Sequence, residues 1–533
     1  MLSPTSNKLF LLLLINASAR ALDVTILAQA PEGAGDIASD HVSLSIEQDG
    51  WVSFVGSTSR NDFFYNSLYN LVGLTGVPPR IRIGGQAGDG ANPSSATQFS
   101  QAYYDNATVS SNLPYPGAYG MAVGSDFYPT VRFLPKNTKV VAAVNYGAND
   151  DLRASVYANL ITKAFESQGV VDQGITLEAI ELGHEPDRYG KDNYYRSWDP
   201  KWSDNSSKYI PEWRNWVKNI IEVIRSGWLP PALDLPFWAG SISSLATKQS
   251  STWSAKYLID NGLVYDAVSS NVKTFSQHHY SGTACKGGAK ELGDLVSKAN
   301  IRSGLNAFKD DIATVKAKGL EYVLGEANSF SCHVTSGVSN VASSAIWALD
   351  YLLYASQLGI SRVYFHQGVG YKFNFLQPTS LSRSPLDSSS LAPPSSAYIA
   401  PSYYAAVIAA EAIGSSGHTR VVEVATEDSS VSGYAFYDGD KLTKALFINT
   451  QLYLKSDSSR PQARINISIE GSTGQATIKR LYIPSSDATS GLTWGGKSFE
   501  TSDALPQGIS RIEVLNPTGF TLRASEVALI SFD

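Results

Sequence analysis

The chain reads as α/β: a (β/α)8 TIM barrel followed by a C-terminal all-β sandwich. Three observations carry that expectation. Between about residues 41 and 375, eight short apolar segments alternate with amphipathic helical stretches. Beyond about residue 420 the texture changes to short alternating strands separated by Gly, Asp and Ser turns. The length of 533 residues also exceeds what one hydrophobic core normally serves, so two domains are expected.

The predicted barrel strands are 42–47, 80–84, 139–146, 177–183, 235–239, 273–279, 322–325 and 362–366. Helices are predicted at 61–74, 150–168, 211–226, 251–262, 302–318 and 338–358, with Asp150 at one start and Gly319 and Gly359 at two ends. Residues 379–400, rich in Ser and Pro, read as a long loop, and 401–414 as a helix. Sandwich strands follow at 421–424, 431–436, 444–449, 463–469, 476–482, 511–514 and 527–532. The expected divisions are a leader at 1–21, a strand within 22–40 joining the sandwich, the barrel at 41–400 and the sandwich at 401–533. A doubly wound open sheet is the alternative, but the Gly-rich run at 84–90 lacks dinucleotide-loop spacing.

Bulk properties exclude several classes. Apolar content of 43% rules out a disordered chain. A formal charge of −6 leaves no basic footprint for nucleic acid. Lys8 and the apolar run 9–15, followed by Ala17, Ser18, Ala19 and Ala21, read as a secretory signal too short to span a bilayer. Secretion is therefore expected, with no membrane anchor. Asn106, Asn205 and Asn466 stand in N-glycosylation acceptors. In an oxidising compartment Cys285 and Cys332 invite a disulfide worth roughly 4 kcal/mol by chain entropy; two separate buried thiols are the alternative. No Gly-x-Ser-x-Gly elbow, zinc helix or Cys-rich metal pattern is present, and neither metal nor cofactor is expected.

Two glutamates carry the chemistry. Glu185, in Leu-Gly-His-Glu-Pro-Asp, and Glu326, in Leu-Gly-Glu-Ala-Asn, each follow an apolar run and a glycine. They fall after the fourth and seventh predicted strands, where barrel enzymes place catalysis. Cleaving a glycosidic bond needs such a pair, one carboxyl protonated and one ionised. A glutamate buried among apolar neighbours holds its proton near neutrality, which suits the acid. Structural ion pairing of one or both is the alternative.

The chain resembles glycoside hydrolase family 79, the β-glucuronidase and heparanase group, within the clan of retaining barrel glycosidases. The resemblance runs through Ser45-Ile46-Glu47, Arg82-Ile83-Gly84-Gly85, Gly183 to Asp187, Gln277-His278-His279-Tyr280 and Gly325 to Asn328, and on into the sandwich. It implies Glu185 as acid/base, Glu326 as nucleophile and Tyr280, ending the sixth strand, as donor to the nucleophile. It further implies that Glu47 binds sugar hydroxyls and that the loop after the eighth strand, with Gln367, Gly368, Gly370 and Tyr371, holds a uronate carboxylate. From the residues alone that loop could equally be glycines making turns. His184 stands where the clan usually has Asn, facing the sugar 2-hydroxyl. Alternation sends one of His278 and His279 inward; His279 is the expected pocket residue, with Asp89 a weaker candidate. The expected partner is a carbohydrate bearing β-glucuronic acid, possible 4-O-methylation included, and the expected state a monomer. The leading expectation is exo-hydrolysis of terminal glucuronic acid. An endo-acting, heparanase-like enzyme and a non-catalytic carbohydrate-binding protein are the alternatives.

Overall fold

A computed structural model describes residues 21–105, 109–191, 195–227, 235–243, 251–284, 291–332, 335–470, 475–516 and 519–532. Eight parallel strands close a barrel: β1 (Val42–Glu47), β2 (Ile81–Gly84), β3 (Lys139–Val144), β4 (Thr176–Leu182), β5 (Phe237–Ile242), β6 (Val272–Thr283), β7 (Glu321–Ser331) and β8 (Arg362–Gln367), with β8 beside β1. After the exposed Lys139, the Val-Val-Ala-Ala-Val of β3 is apolar throughout because helices cover its outer face and side chains fill the lumen. One interior layer is Val141, Ala179, Trp238, Val323 and Tyr364.

Helix boundaries follow local chemistry. Asn61 caps Asp62–Thr75 by accepting from Phe64 N, and Gly76 ends it at φ 76°. Asp150 caps Asp151–Glu166 in the same way. The single helix expected at 302–318 is two, Lys298–Asn306 and Lys309–Ala317, parted where Phe308 turns its ring onto His279 and Tyr322.

Three expectations change. Strand β7 runs past Gly325 to Ser331 and β6 past Tyr280 to Thr283, so Glu326 and Tyr280 lie within strands. The skipped register at Gly325, between the Gln277–Leu324 and His278–Glu326 pairs, keeps the strand going while re-aiming Glu326. Residues 379–400 are not a plain loop: Leu381–Arg383 pairs with Ser390–Ser395, and Tyr398–Ile399 with Leu376–Gln377. Helix Tyr403–Ile413 packs against Asp62–Thr75 and Ser343–Gln357, completing the outer ring, so the sandwich begins at Thr419 rather than 401.

The sandwich has an eight-stranded antiparallel sheet and a three-stranded one. One face of the larger sheet, including Tyr434, Phe436 and Leu446, joins the barrel core, and the other packs on the smaller sheet through Phe447 and Ile530. Strand Ala21–Leu27 lies parallel to Gln462–Glu470, pointing Leu22, Val24 and Ile26 into that second core. No described helix is long and apolar enough to cross a membrane. The leader call at 1–21 lies outside the described residues save for Ala21, and Asn106 and Cys285 also lie outside them. Cys332, just past β7, is disulfide-bonded. Asn205 is exposed, and Asn466 bonds Asp23 at 2.8 Å.

Candidate active site

Strand alternation and buried charge set the geometry at the carboxyl ends of the barrel strands. On β2, Arg82 is completely buried, so its guanidinium must be paired. Nε donates to Glu181 Oε2 at 2.6 Å, and one terminal nitrogen donates to both Ser45 Oγ at 2.8 Å and Glu326 Oε2 at 2.7 Å. The other lies 3.3 Å from His184 Nδ1. Tyr280 donates its hydroxyl to Glu326 Oε1 at 2.8 Å. Burial works against ionising Glu326, but His366, His184, His278 and Arg82 outweigh it and hold the carboxyl well below its ordinary range.

Glu185 follows Gly183 out of β4 with a left-handed backbone (φ 47°, ψ 56°), pinned by its amide donating to Ser241 O. That conformation is costly for a residue with a side chain. It turns the carboxylate towards His278, whose Nδ1 lies 3.1 Å from Oε1, and Arg188 reaches Oε2 at 3.2 Å. The expectation of a proton held by apolar burial is corrected here. Burial pushes Glu185 up, but the His278 hydrogen bond and the charges of His184, His278 and Arg188 leave it at about 2. Burial likewise disfavours the His278 cation, yet Glu326, Glu181 and Glu185 raise it to about 9. The proton expected on the glutamate resides on its partner. Single ligand atoms of His184, Glu185, His278 and Glu326 lie within 4.8 Å of one another, so the two carboxylates face a common point. These four could offer ligands to a metal ion, but the Arg82 guanidinium already holds a positive charge against Glu326 and His184.

Glu47 ends β1, takes Ala87 N on Oε1 at 2.9 Å and meets His366 Nε2 at 3.1 Å. Beside it, Asp49 accepts from Ala118 N, and burial together with Glu47 raises it to about 7. Tyr371 is buried, and burial followed by the charges of Glu47 and Asp49 keeps its hydroxyl protonated.

Five expected pocket residues are employed elsewhere. His279 faces outward, stacked on Tyr351 at 5.7 Å with Nδ1 2.7 Å from its hydroxyl, and burial lowers it to about 4; His278 points inward. Asp89 spends both oxygens on the backbone amides of Tyr146, Gly147 and His184 and on the Tyr189 hydroxyl, so it braces the loop beneath His184. Gln367 turns back to accept from Phe375 N at 2.7 Å and to donate to His366 O at 2.8 Å. The amides of Gly368 and Gly370 donate to Asn374 and Gln377, so neither is available to an anion. Tyr371, the remaining member of that expected clamp, is buried near Glu47 and Asp49.

Sequence reading gave no role to Arg82, Glu181 or His366. The signal was present: a charged residue inside Ile-Arg-Ile or Ala-Ile-Glu-Leu, in strands buried on both faces, must find a buried partner. Replacing Arg82 by leucine should leave Glu181 and Glu326 without the buried cation they share and cost about 3–5 kcal/mol. Denaturant midpoints check this; a loss below about 1 kcal/mol would show that the ion triad is dispensable.

Comparison with known proteins follows the same line. The glycosyl hydrolase family 79 C-terminal beta domain model matches residues 433–529. A β-glucuronidase of Neurospora crassa is 26% identical over 522 residues, covering 90% of this chain and 87% of that protein. One of Aspergillus niger is 26% identical over 505 residues, covering 89% and 86%. The crystal structure of a 4-O-α-L-rhamnosyl-β-D-glucuronidase from Fusarium oxysporum superimposes with a TM-score of 0.77 at 22% identity, over 96% of this chain and 100% of that one. The chain is a glycoside hydrolase, similar in sequence and fold to these family 79 and β-glucuronidase proteins.

Proposed function

We propose that the protein is a secreted, N-glycosylated, exo-acting β-glucuronidase that works with retention of configuration. The observation that carries this reading is the convergence of Glu185 and Glu326, with ligand oxygens within 4.8 Å. Retaining enzymes hold their carboxyl groups about 5–5.5 Å apart, whereas inverting ones leave room for a water at about 6.5–9.5 Å. Glu326, ionised and oriented by Arg82 and Tyr280, attacks the anomeric carbon, while the leaving oxygen takes a proton from Glu185. Water assisted by Glu185 then releases the sugar. His184, 3.8 Å from Glu326 Oε2, is placed to meet the sugar 2-hydroxyl, and Glu47 others. A protonated Tyr371 supplies a donor for the uronate carboxylate. The names of the two relatives support glucuronic acid as the sugar.

A clasp supports exo action. Tyr115, in the insertion after β2, and Arg383, after β8, join through the tyrosine hydroxyl, which donates to Arg383 O at 2.8 Å and accepts from its amide at 3.2 Å. The Tyr115 ring packs so closely on Gly370 that a Cβ there would collide with it. A cleft joined across in this way favours a chain end over an internal sugar. Aryl glycosides differing only at sugar C5 test the specificity: turnover of the glucuronide and not the glucoside is expected, and the reverse would overturn the reading. Oligosaccharides from internal cuts would overturn exo action.

Because Glu185 and His278 share one proton, the catalytic acid draws on an imidazolium. The competent state then persists until His278 deprotonates near 9. Changing His278 to asparagine leaves that proton to Glu185 alone, so the basic limb of kcat/KM should move at least about one pH unit lower. An unmoved basic limb would separate His278 from the acid.

A further inference from the structure

At the amino ends of the strands, opposite the carboxylates, lies a second cavity of about 1500 Å3. That exceeds the range of roughly 300–1,000 Å3 typical of sites for single small molecules. Its floor is closed by ion pairs: Asp40 takes Arg80 at 2.6 Å and Arg362 at 2.8 Å, and those arginines also hold Glu178 and Glu321. The floor therefore has no cation to spare. The two walls differ. One presents Tyr65 and Tyr69, rings stacked at 5.7 Å and 12°, with Tyr69 more than half exposed and the Arg60 guanidinium 3.8 Å above Tyr65. The other presents Arg132, Lys136 and Lys139, none of them in an ion pair among the described residues, against the single carboxylate of Asp172. Lys136 and Lys139 are exposed; Arg132 donates to Pro129 O.

A chain of net charge −6 thus gathers unpaired positive charge in the same cavity as an aromatic pair. Tyrosine faces take the C–H face of a sugar ring, and cations take carboxylates. About 20 Å of barrel separates this cavity from the carboxylates, six residues at 3.3 Å each. A ligand engaging both ends must be a polymer. Resting on the glucuronidase reading, we propose that this cavity is a second binding site for acidic polysaccharide, holding the polymer while its ends are trimmed on the opposite face. Tethering of this kind raises the local concentration of chain ends without touching the chemistry.

The test uses soluble polyglucuronate as probe and Glu326→Ala as background, so that the polymer stays uncut. Adding Arg132→Gln, Lys136→Gln and Lys139→Gln should weaken calorimetric binding roughly tenfold, as should raised salt. Tyr69→Ala should weaken it too, and Lys136→Arg with Lys139→Arg should preserve it. In the active protein the triple change should leave kcat/KM on an aryl β-glucuronide unaltered while lowering it on the polymer. Unchanged polymer affinity in the triple variant, or equal affinity of the wild-type protein for a neutral β-glucan, overturns the proposal. Absence of any aryl β-glucuronide turnover would instead refute the glucuronidase reading, and the binding comparison would still judge the site.

Discussion

Replacing Glu326 by alanine should lower turnover of an aryl β-glucuronide by at least about four orders of magnitude. The residue is built to stay ionised. One oxygen takes the Tyr280 hydroxyl and the other takes Arg82, in a pocket where burial alone would favour the neutral acid. Removing it deletes the group that would bond the anomeric carbon, and no neighbour can substitute. His366 and His184 come within 3.6 and 3.8 Å of the same oxygen, but His366 is engaged by Ser45 and Glu47, and His184 Nδ1 lies beside Arg82. Azide supplied to the variant should fill the vacated space and give a glycosyl azide of α configuration, because attack comes from the nucleophile's side. A rate within tenfold of wild type, or a β-configured azide, would refute the role of Glu326.

The second large effect concerns Glu185. Its alanine variant should lose roughly 10³-fold on substrates with alkyl or sugar leaving groups, within the usual range for general acid catalysis. Activated phenols leave without help, so glycosylation should be nearly spared for them. Deglycosylation should then become limiting, because the same carboxylate assists the incoming water, and a burst of phenol should precede a slow steady state. Equal loss for good and poor leaving groups, with no burst, would mean that Glu185 supports structure only. The left-handed backbone at this position gives a further check. Glu185→Gln keeps the side chain and its contacts with Arg188 while removing the titrating group, so it should show the same leaving-group dependence as alanine without alanine's structural changes.

Much of this arrangement could be read from the chain itself, and the reasons are specific. Periodicity located all eight barrel strands because each is a short apolar run between polar loops. The two glutamates stood out because each follows a glycine at the end of such a run. What escaped was information held between strands. Whether His278 or His279 faces inward depends on register, and the skipped pairing at Gly325 is invisible to a single-strand pattern. The proton on Glu185 was misassigned because a lone glutamate gives no hint of the imidazole that β6 brings to 3.1 Å. The glycines after β8 looked like an anion cradle, yet Asn374 and Gln377, a few residues on, consume their amides. Asp89 was read by its neighbourhood to a loop, whereas its oxygens serve backbone amides from two other loops.

The pairing of Ala21–Leu27 with Gln462–Glu470 has a bearing on biogenesis. Asp23 and Asn466 are 443 positions apart, so the first strand to leave the ribosome waits for one of the last. At about 5–20 residues per second that delay is roughly 20–90 s, during which Leu22, Val24 and Ile26 have no core to enter. A nascent chain with such an apolar ribbon depends on chaperone shelter, and the barrel cut free of its sandwich would carry an orphaned strand prone to aggregate.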